Sequence, residues 1–182
     1  MVQYVAEIKV PLITQPNEYT CFPTCFKMLI DFLREKFPNI PNLSIQEIAD
    51  IVRTDKDGTT LENIPNLNRT VFKNTPLEII VTCQTARFED IEKELDNGNP
   101  VIIGYDLALY QEEIRKFCGH AAIITRIDKD KLEVIMNDPL YGKRSMKLGK
   151  FMEVWDAAEK VFIQVKPKHQ LQMEAFGDEN DS

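Results

Sequence analysis

QPNEYTCFPTCFKML, residues 15–29, decides how this chain is read. A polar loop gives way to an apolar pattern, and the change falls at a cysteine. From Phe22 the apolar side chains recur as Phe22, Cys25, Phe26, Leu29, Ile30, Leu33 and Phe37, the spacing of a helix with one face in a core. Pro23 suits such a helix only in its first turn, where a missing N–H costs nothing. The helix therefore begins close to Cys21. Helix N-termini carry unpaired N–H groups and the positive end of the dipole, and both favour a thiolate. Cys21 is thus a candidate nucleophile. Cys25, one turn on and inside the stripe, reads as buried core sulfur. Position alone still favours Cys21 as a plain half-buried thiol, so the rest of the chain must weigh in.

Outward from this helix the pattern turns from helical to β. PNIPN ends the first helix, and SIQEIADIVR starts a second with a capping box, Ser44 as N-cap and Glu47 three residues on. Thr59 and Glu62 repeat that pattern before a short helix around 61–71 that contains Pro65. LEIIVTC (77–83) reads as a strand, RFEDIEKELDNG as an amphipathic helix closed by Gly98, and PVIIGYD as a short apolar strand. HAAIITRI and KLEVIMND flank the polar DKDK as a hairpin. KRSMKL adds a strand, GKFMEVWDAAEK a helix and VFIQV a last strand. The fold class is α+β, a helical N-terminal half on a mostly antiparallel sheet.

Composition narrows the functions. With 182 residues, 43% hydrophobic and 28% charged, the chain suits one ordinary globular domain. It lacks an apolar run of the ~18 residues a membrane span needs, and MVQYVAEIKV has no basic start or signal core. A cytoplasmic location is expected. The four cysteines, Cys21, Cys25, Cys83 and Cys118, are too few and too irregular for a disulfide scaffold and are expected to be reduced. Net charge is −7, and the segment LQMEAFGDENDS (171–182) holds four acids and no base, leaving the rest near −3. With no basic stripe, nucleic acid is not an expected partner. Residues 1–168 are read as the domain and 169–182 as an acidic, disordered tail.

A thiolate nucleophile needs a base, usually a histidine, and a third group to hold the imidazole. The chain has two histidines. His169, in the polar KPKHQ, reads as a solvated surface residue. His120 stands in CGHAAIIT at the head of an apolar strand, where a polar side chain is costly unless engaged. The hairpin brings MNDP back beside it, so that Asp138 or Asn137 comes within reach. A turn centred on Lys129 sets Asp138 opposite His120; pairing Arg126 with Glu133 shifts it by one residue.

The order Gln, five residues, Cys, three residues, Cys, apolar helix, then Gly-His in a strand, hairpin and Asp-Pro resembles cysteine peptidase family 39. These are papain-like enzymes typified by the double-glycine leader peptidases of bacteriocin exporters. The family pattern, roughly Q-x5-CG-x-AC, then GH, then DP, stands here as QPNEYTCFPTC, GHAAIIT and NDP, within about 11–165. The resemblance implies a papain-like cysteine proteinase fold and a peptidase with no cofactor. It implies Cys21 as nucleophile, His120 as general base, Asp138 as the residue orienting it, and Gln15 as side-chain donor of the oxyanion hole. A peptide or protein is the implied substrate. Phe22 departs from the family's glycine; its N–H can still serve the oxyanion hole, but a bulky side chain beside the thiol is expected to narrow the site. No membrane segment follows in the sequence, so a leader-peptide role does not follow from the resemblance alone.

Other readings stand beside this one. A silent papain-like domain that binds a peptide or protein in the old cleft is one, with Phe22 in its favour and the Cys-His-Asp set against it. Transfer of the acyl group to an amine, as in acyltransferase or transglutaminase-like relatives, shares the same residues. Cys21, Cys25, Cys118 and His120 also form a C-x3-C and C-x-H set with zinc-ligand chemistry, disfavoured because Cys25 lies on the core stripe. A Cys21–Cys25 disulfide is disfavoured by a reducing compartment.

Overall fold

The structure is a computed structural model and describes residues 6–113 and 117–168. The tail expected over 169–182, with His169, lies outside them. Helix α1 spans Cys21–Arg34, so the limit read from Pro23 holds. It buries Phe26, Met28, Leu29 and Ile30 almost completely, each worth about 1.5–3 kcal/mol when fully withdrawn from water. Helix α2 (Ile45–Ile51) has the expected capping box: the Ser44 hydroxyl accepts from Glu47 N–H, and the Glu47 carboxylate accepts from Ser44 N–H. The second expected cap does not form. The Thr59 hydroxyl pairs with that of Thr54 at 2.6 Å, and Thr60 starts a single 3₁₀ turn, Leu61–Asn63. After Pro65 a separate helix α3, Asn66–Thr70, begins, so the expected 61–71 helix is two pieces.

Strand β1 (Leu77–Thr82), helix α4 (Phe88–Asp96), strand β2 (Val101–Asp106), helix α5 (Leu107–Tyr110), strands β3 (Gly119–Asp128), β4 (Glu133–Asp138) and β5 (Gly142–Lys147), helix α6 (Leu148–Ala157) and strand β6 (Phe162–Pro167) follow. Gly98, at φ +78, closes α4 in the left-handed conformation that glycine adopts without penalty. The six strands form one sheet in the order β1-β6-β2-β3-β4-β5, and every pairing given for it is antiparallel. One face carries α1 to α3 around Phe26, Leu29, Phe72, Ile102 and Ile123. The other carries α4 and α6, with Phe151 and Trp155 stacked over Ile103, Ala122 and Met136. Helices therefore cover both faces of the sheet, the N-terminal three on one and α4 and α6 on the other.

The β3–β4 hairpin adopts neither register expected from the sequence. Asp128 accepts the Lys131 N–H at 3.0 Å, which centres the turn beyond Lys129 and pairs Asp128 with Glu133 and Arg126 with Ile135. Continued inward, that register would set Asp138 abreast of Ile123, on the wrong face. A bulge at Thr125 shifts it by one, to Ile124 with Met136 and Ile123 with Asn137. Asp138 then falls abreast of Ala122 and shares the face of His120. The bulge is held from outside the hairpin: the Thr125 carbonyl accepts from the Ile8 N–H at 3.1 Å.

Candidate active site

The start of α1, the start of β3 and the end of β4 converge at one end of the sheet. Cys21 is the first residue of α1, half-buried, and Thr20 before it makes no side-chain cap. Pro23 brings no N–H to the first turn and Thr24 N–H bonds to Thr20, which leaves Cys21 and Phe22 to supply the uncapped amides. His120, 5% exposed, is the second residue of β3 and lies beside Cys21 on the cleft wall, close enough for the thiol to act on its charge. Its Nε2 lies 2.9 Å from Asp138 Oδ1 at the end of β4, so Nδ1 is the nitrogen left for sulfur. The structure thus joins Cys21, His120 and Asp138 in one chain of contacts.

Asp138 is fully buried yet well supplied with donors. Its Oδ1 also accepts from the N–H groups of Leu140 (2.9 Å) and Tyr141 (3.1 Å), its Oδ2 accepts from the Tyr105 hydroxyl at 2.7 Å, and Arg144 Nη2 forms an ion pair with Oδ2 at 3.2 Å. Burial pushes this carboxyl up, but the His120, Tyr105 and Arg144 interactions outweigh it and hold the acid below its usual range. Burial likewise pulls His120 down, yet its interactions with Asp138 and Cys21 carry it up to about 9. The imidazole therefore keeps its proton at neutral pH. Tyr105 is raised by burial and by the Asp138 charge, so it stays a donor.

Tyr105 and Arg144 escaped the sequence reading. Tyr105 sits directly across from His120 in the β2–β3 register, with its ring edge-on at 5.2 Å. Arg144 pairs with Met136 in β5, one alternation from Asp138. The signal available was a hydroxyl at the end of the apolar PVIIGYD strand; nothing in KRSMKL singled out its arginine.

Gln15 reaches this end of the sheet through its backbone, whose N–H donates to the Pro139 carbonyl at 2.9 Å. Its side-chain Nε2 donates to the Asn17 carbonyl at 2.7 Å, and Oε1 is buried without a hydrogen-bond partner among the described residues. A carboxamide has a second N–H, so one donor is still to be placed. Phe22 lines the same cleft as Cys21, beside which a bulky side chain was expected to narrow the site. It is 5% exposed and stacks on Phe26 at 6.1 Å, because it belongs to the core stripe. Cys21 and His120 line a cleft of about 950 Å³ together with Leu61, Ile64, Gly104 and Val161. All four cysteines are free, and among the described residues no group of three His, Cys, Asp or Glu is placed to hold a metal ion. Cys25 is fully buried, and that burial raises its thiol well above its usual value, keeping it a core hydrophobe.

Residues 7–163 match the family model described as Peptidase_C39 like. The chain belongs to the Peptidase_C39 like family. That span takes in Gln15, Cys21, Tyr105, His120, Asp138 and Arg144. Among solved structures the chain is similar to a putative C39-like peptidase from Bacillus anthracis, at 15% identity over 88% of this chain and 96% of that one, with a TM-score of 0.68. It is also similar to the peptidase domain of Streptococcus ComA, a bifunctional ABC transporter of a quorum-sensing pathway (17% identity, 88% and 100% covered, TM-score 0.61). A third likeness is to a double glycine motif protease from an AMS/PCAT transporter in complex with its leader peptide (16% identity, 91% and 96% covered, TM-score 0.60). These likenesses establish the papain-like fold of a Peptidase_C39 like protein. No curated protein is similar enough in sequence to match. Among the described residues no helix is long and apolar enough to cross a membrane.

Proposed function

We propose that this protein is a cysteine peptidase that cleaves a peptide bond through an acyl-thioenzyme at Cys21. The observation that carries the reading is the chain Cys21, His120, Asp138 opening on a cleft at an uncapped helix N-terminus. A protonated imidazole beside the sulfur favours the thiolate. In the reading, that sulfur attacks the substrate carbonyl carbon, and the developing oxyanion accepts from the Cys21 N–H and the Gln15 side-chain amide. His120 gives its proton to the leaving amine, and the C–N bond breaks. It then takes a proton from water, whose oxygen displaces the sulfur and regenerates thiolate and imidazolium. Asp138 holds the ring so that Nδ1 faces sulfur throughout.

The neighbour captured with a leader peptide supports a peptide as substrate class here. Residues 1–168 are the peptidase domain in this reading, and the cytoplasm, which keeps thiols reduced, is its compartment.

A thiol-directed activity probe, such as a peptidyl vinyl sulfone, tests the site. Wild type should be labelled, Cys21→Ala not at all, and His120→Ala at least about tenfold more slowly, since without the base the thiolate fraction falls. Equal labelling of wild type and His120→Ala would reduce Cys21 to an accessible thiol and leave a peptide-binding domain as the better account.

A further inference from the structure

Four adjacent strands each place one polar side chain on the same face, in a row: Tyr105 from β2, His120 from β3, Asp138 from β4 and Arg144 from β5. The row ends in a cage. The Arg144 guanidinium carbon lies 4.3 Å from the Tyr110 ring centre, 4.6 Å from that of Tyr141 and 5.6 Å from that of Tyr105. Its Nη2 donates to the Tyr105 hydroxyl at 2.7 Å and stands 3.2 Å from Asp138 Oδ2. The Tyr105 hydroxyl donates a hydrogen bond to the same oxygen at 2.7 Å. Asp138 thus divides its carboxylate, Oδ1 for His120 and two backbone amides, Oδ2 for Tyr105 and Arg144.

We propose that Arg144 and Tyr105 are positioning residues: together they fix the carboxylate of Asp138 and set how tightly His120 holds its proton. The inference rests on the catalytic reading above but makes a separate claim. An isolated carboxylate buried this completely would pull strongly on its one partner, the imidazolium. A guanidinium on the far oxygen shares that pull. It keeps Asp138 ionised and leaves His120 able to release its proton to a leaving group. Among the described residues, the groups facing the pair or its arginine are Cys21 and Cys25 from α1, Tyr105 from β2, Tyr110 from α5, Tyr141 in the β4–β5 turn and Arg144 from β5. Arg144 is the cation of this set, so its removal has one sign. The tyrosine faces hold it flat, a task suited to a planar guanidinium.

The test is an NMR titration of the histidine rings, simple because the chain has two, with His120 assigned from the signal lost in His120→Gln. Arg144→Met should raise the His120 midpoint by at least about half a pH unit, the scale on which a charge within ~6 Å acts. Arg144→Lys should restore most of the wild-type value, and Tyr105→Phe should raise it by less. A packing role would lower thermal stability and leave the midpoint in place. An unchanged or lowered midpoint in a folded Arg144→Met would overturn the proposal; should that variant fail to fold, an unchanged midpoint in Tyr105→Phe would do the same. Absence of labelling in wild type would instead strike the peptidase reading, and the titration would still decide this one.

Discussion

His120 makes the stability of the native protein depend on pH across the neutral range. Its ordinary pKa of 6.5 rises to about 9 in the fold. A group raised in this way adds stability that is fully present below 6.5 and lost as pH climbs through 9, because in between the native state binds a proton that the unfolded chain has released. One pKa unit is worth about 1.4 kcal/mol, so the whole rise is worth about 3 kcal/mol, lost at about 1.4 kcal/mol per pH unit through the middle of the window. The residue is 5% exposed, which leaves little screening to discount. Guanidinium unfolding at pH 6, 7, 8 and 9 reads this directly, with His120→Gln as the comparison. The variant starts lower, having lost a buried hydrogen bond, but its stability should be nearly flat where wild type declines. Above pH 9 the comparison ends, since burial also raises Cys25 and Cys118 and their unfolded thiols begin to ionise. Parallel pH profiles for wild type and His120→Gln between 6.5 and 9 would refute the claim that His120 carries a proton in the native site.

Two further expectations address the cleft and the chain end. A methyl group added at Gly104 would meet Val161 Cβ at 3.1 Å, so Gly104→Ala should cost about 1 kcal/mol in denaturant and slow probe labelling more for bulky peptides than for small electrophiles. Equal slowing for both would place the effect away from substrate. Removing 169–182 should shift the melting temperature by less than about 2 °C, because Lys168 is already anchored to the carbonyls of Phe72 and Thr75 at 2.8 and 2.7 Å. A larger drop would show that Leu171, Met173 and Phe176 dock on the body.

Local signals proved legible and long-range ones did not. The start of α1 follows from Pro23, and the Ser44 cap from its partner three residues on, because both rules act within a single turn of chain. The hairpin was visible in HAAIITRI and KLEVIMND, but its register was not. That depends on Asp128 reaching Lys131 and on Thr125 being tied to Ile8, a contact across more than a hundred residues. The Thr59 pattern failed for a similar reason: a hydroxyl five residues back in sequence competes for it. Phe22 was legible in both of its settings, on the core stripe against Phe26 and beside the thiol on the cleft wall, because both follow from its place in the first turn of α1. The helix start, the apolar strand and the hairpin singled out Cys21, His120 and either Asp138 or Asn137, and the family resemblance chose Asp138, but neither carried an expectation for Tyr105 or Arg144, whose contacts reach across strands far apart in sequence.

The bulge at Thr125 links these observations to the chemistry. Side chains alternate along a strand, so a carboxylate is on the imidazole's face or on the opposite one. With the outer register continued, Asp138 would point toward the α1 face, where Asn137 now bonds the Val10 carbonyl at 2.9 Å, and away from the face that carries Tyr105, His120 and Arg144. One extra residue exchanges the two roles. It sends the amide to the N-terminal segment and the acid to the row formed by Tyr105, His120 and Arg144. The Ile8 N–H that satisfies the Thr125 carbonyl then belongs to the site's support as much as any residue beside the sulfur, since it holds the backbone irregularity that puts Asp138 on the right face.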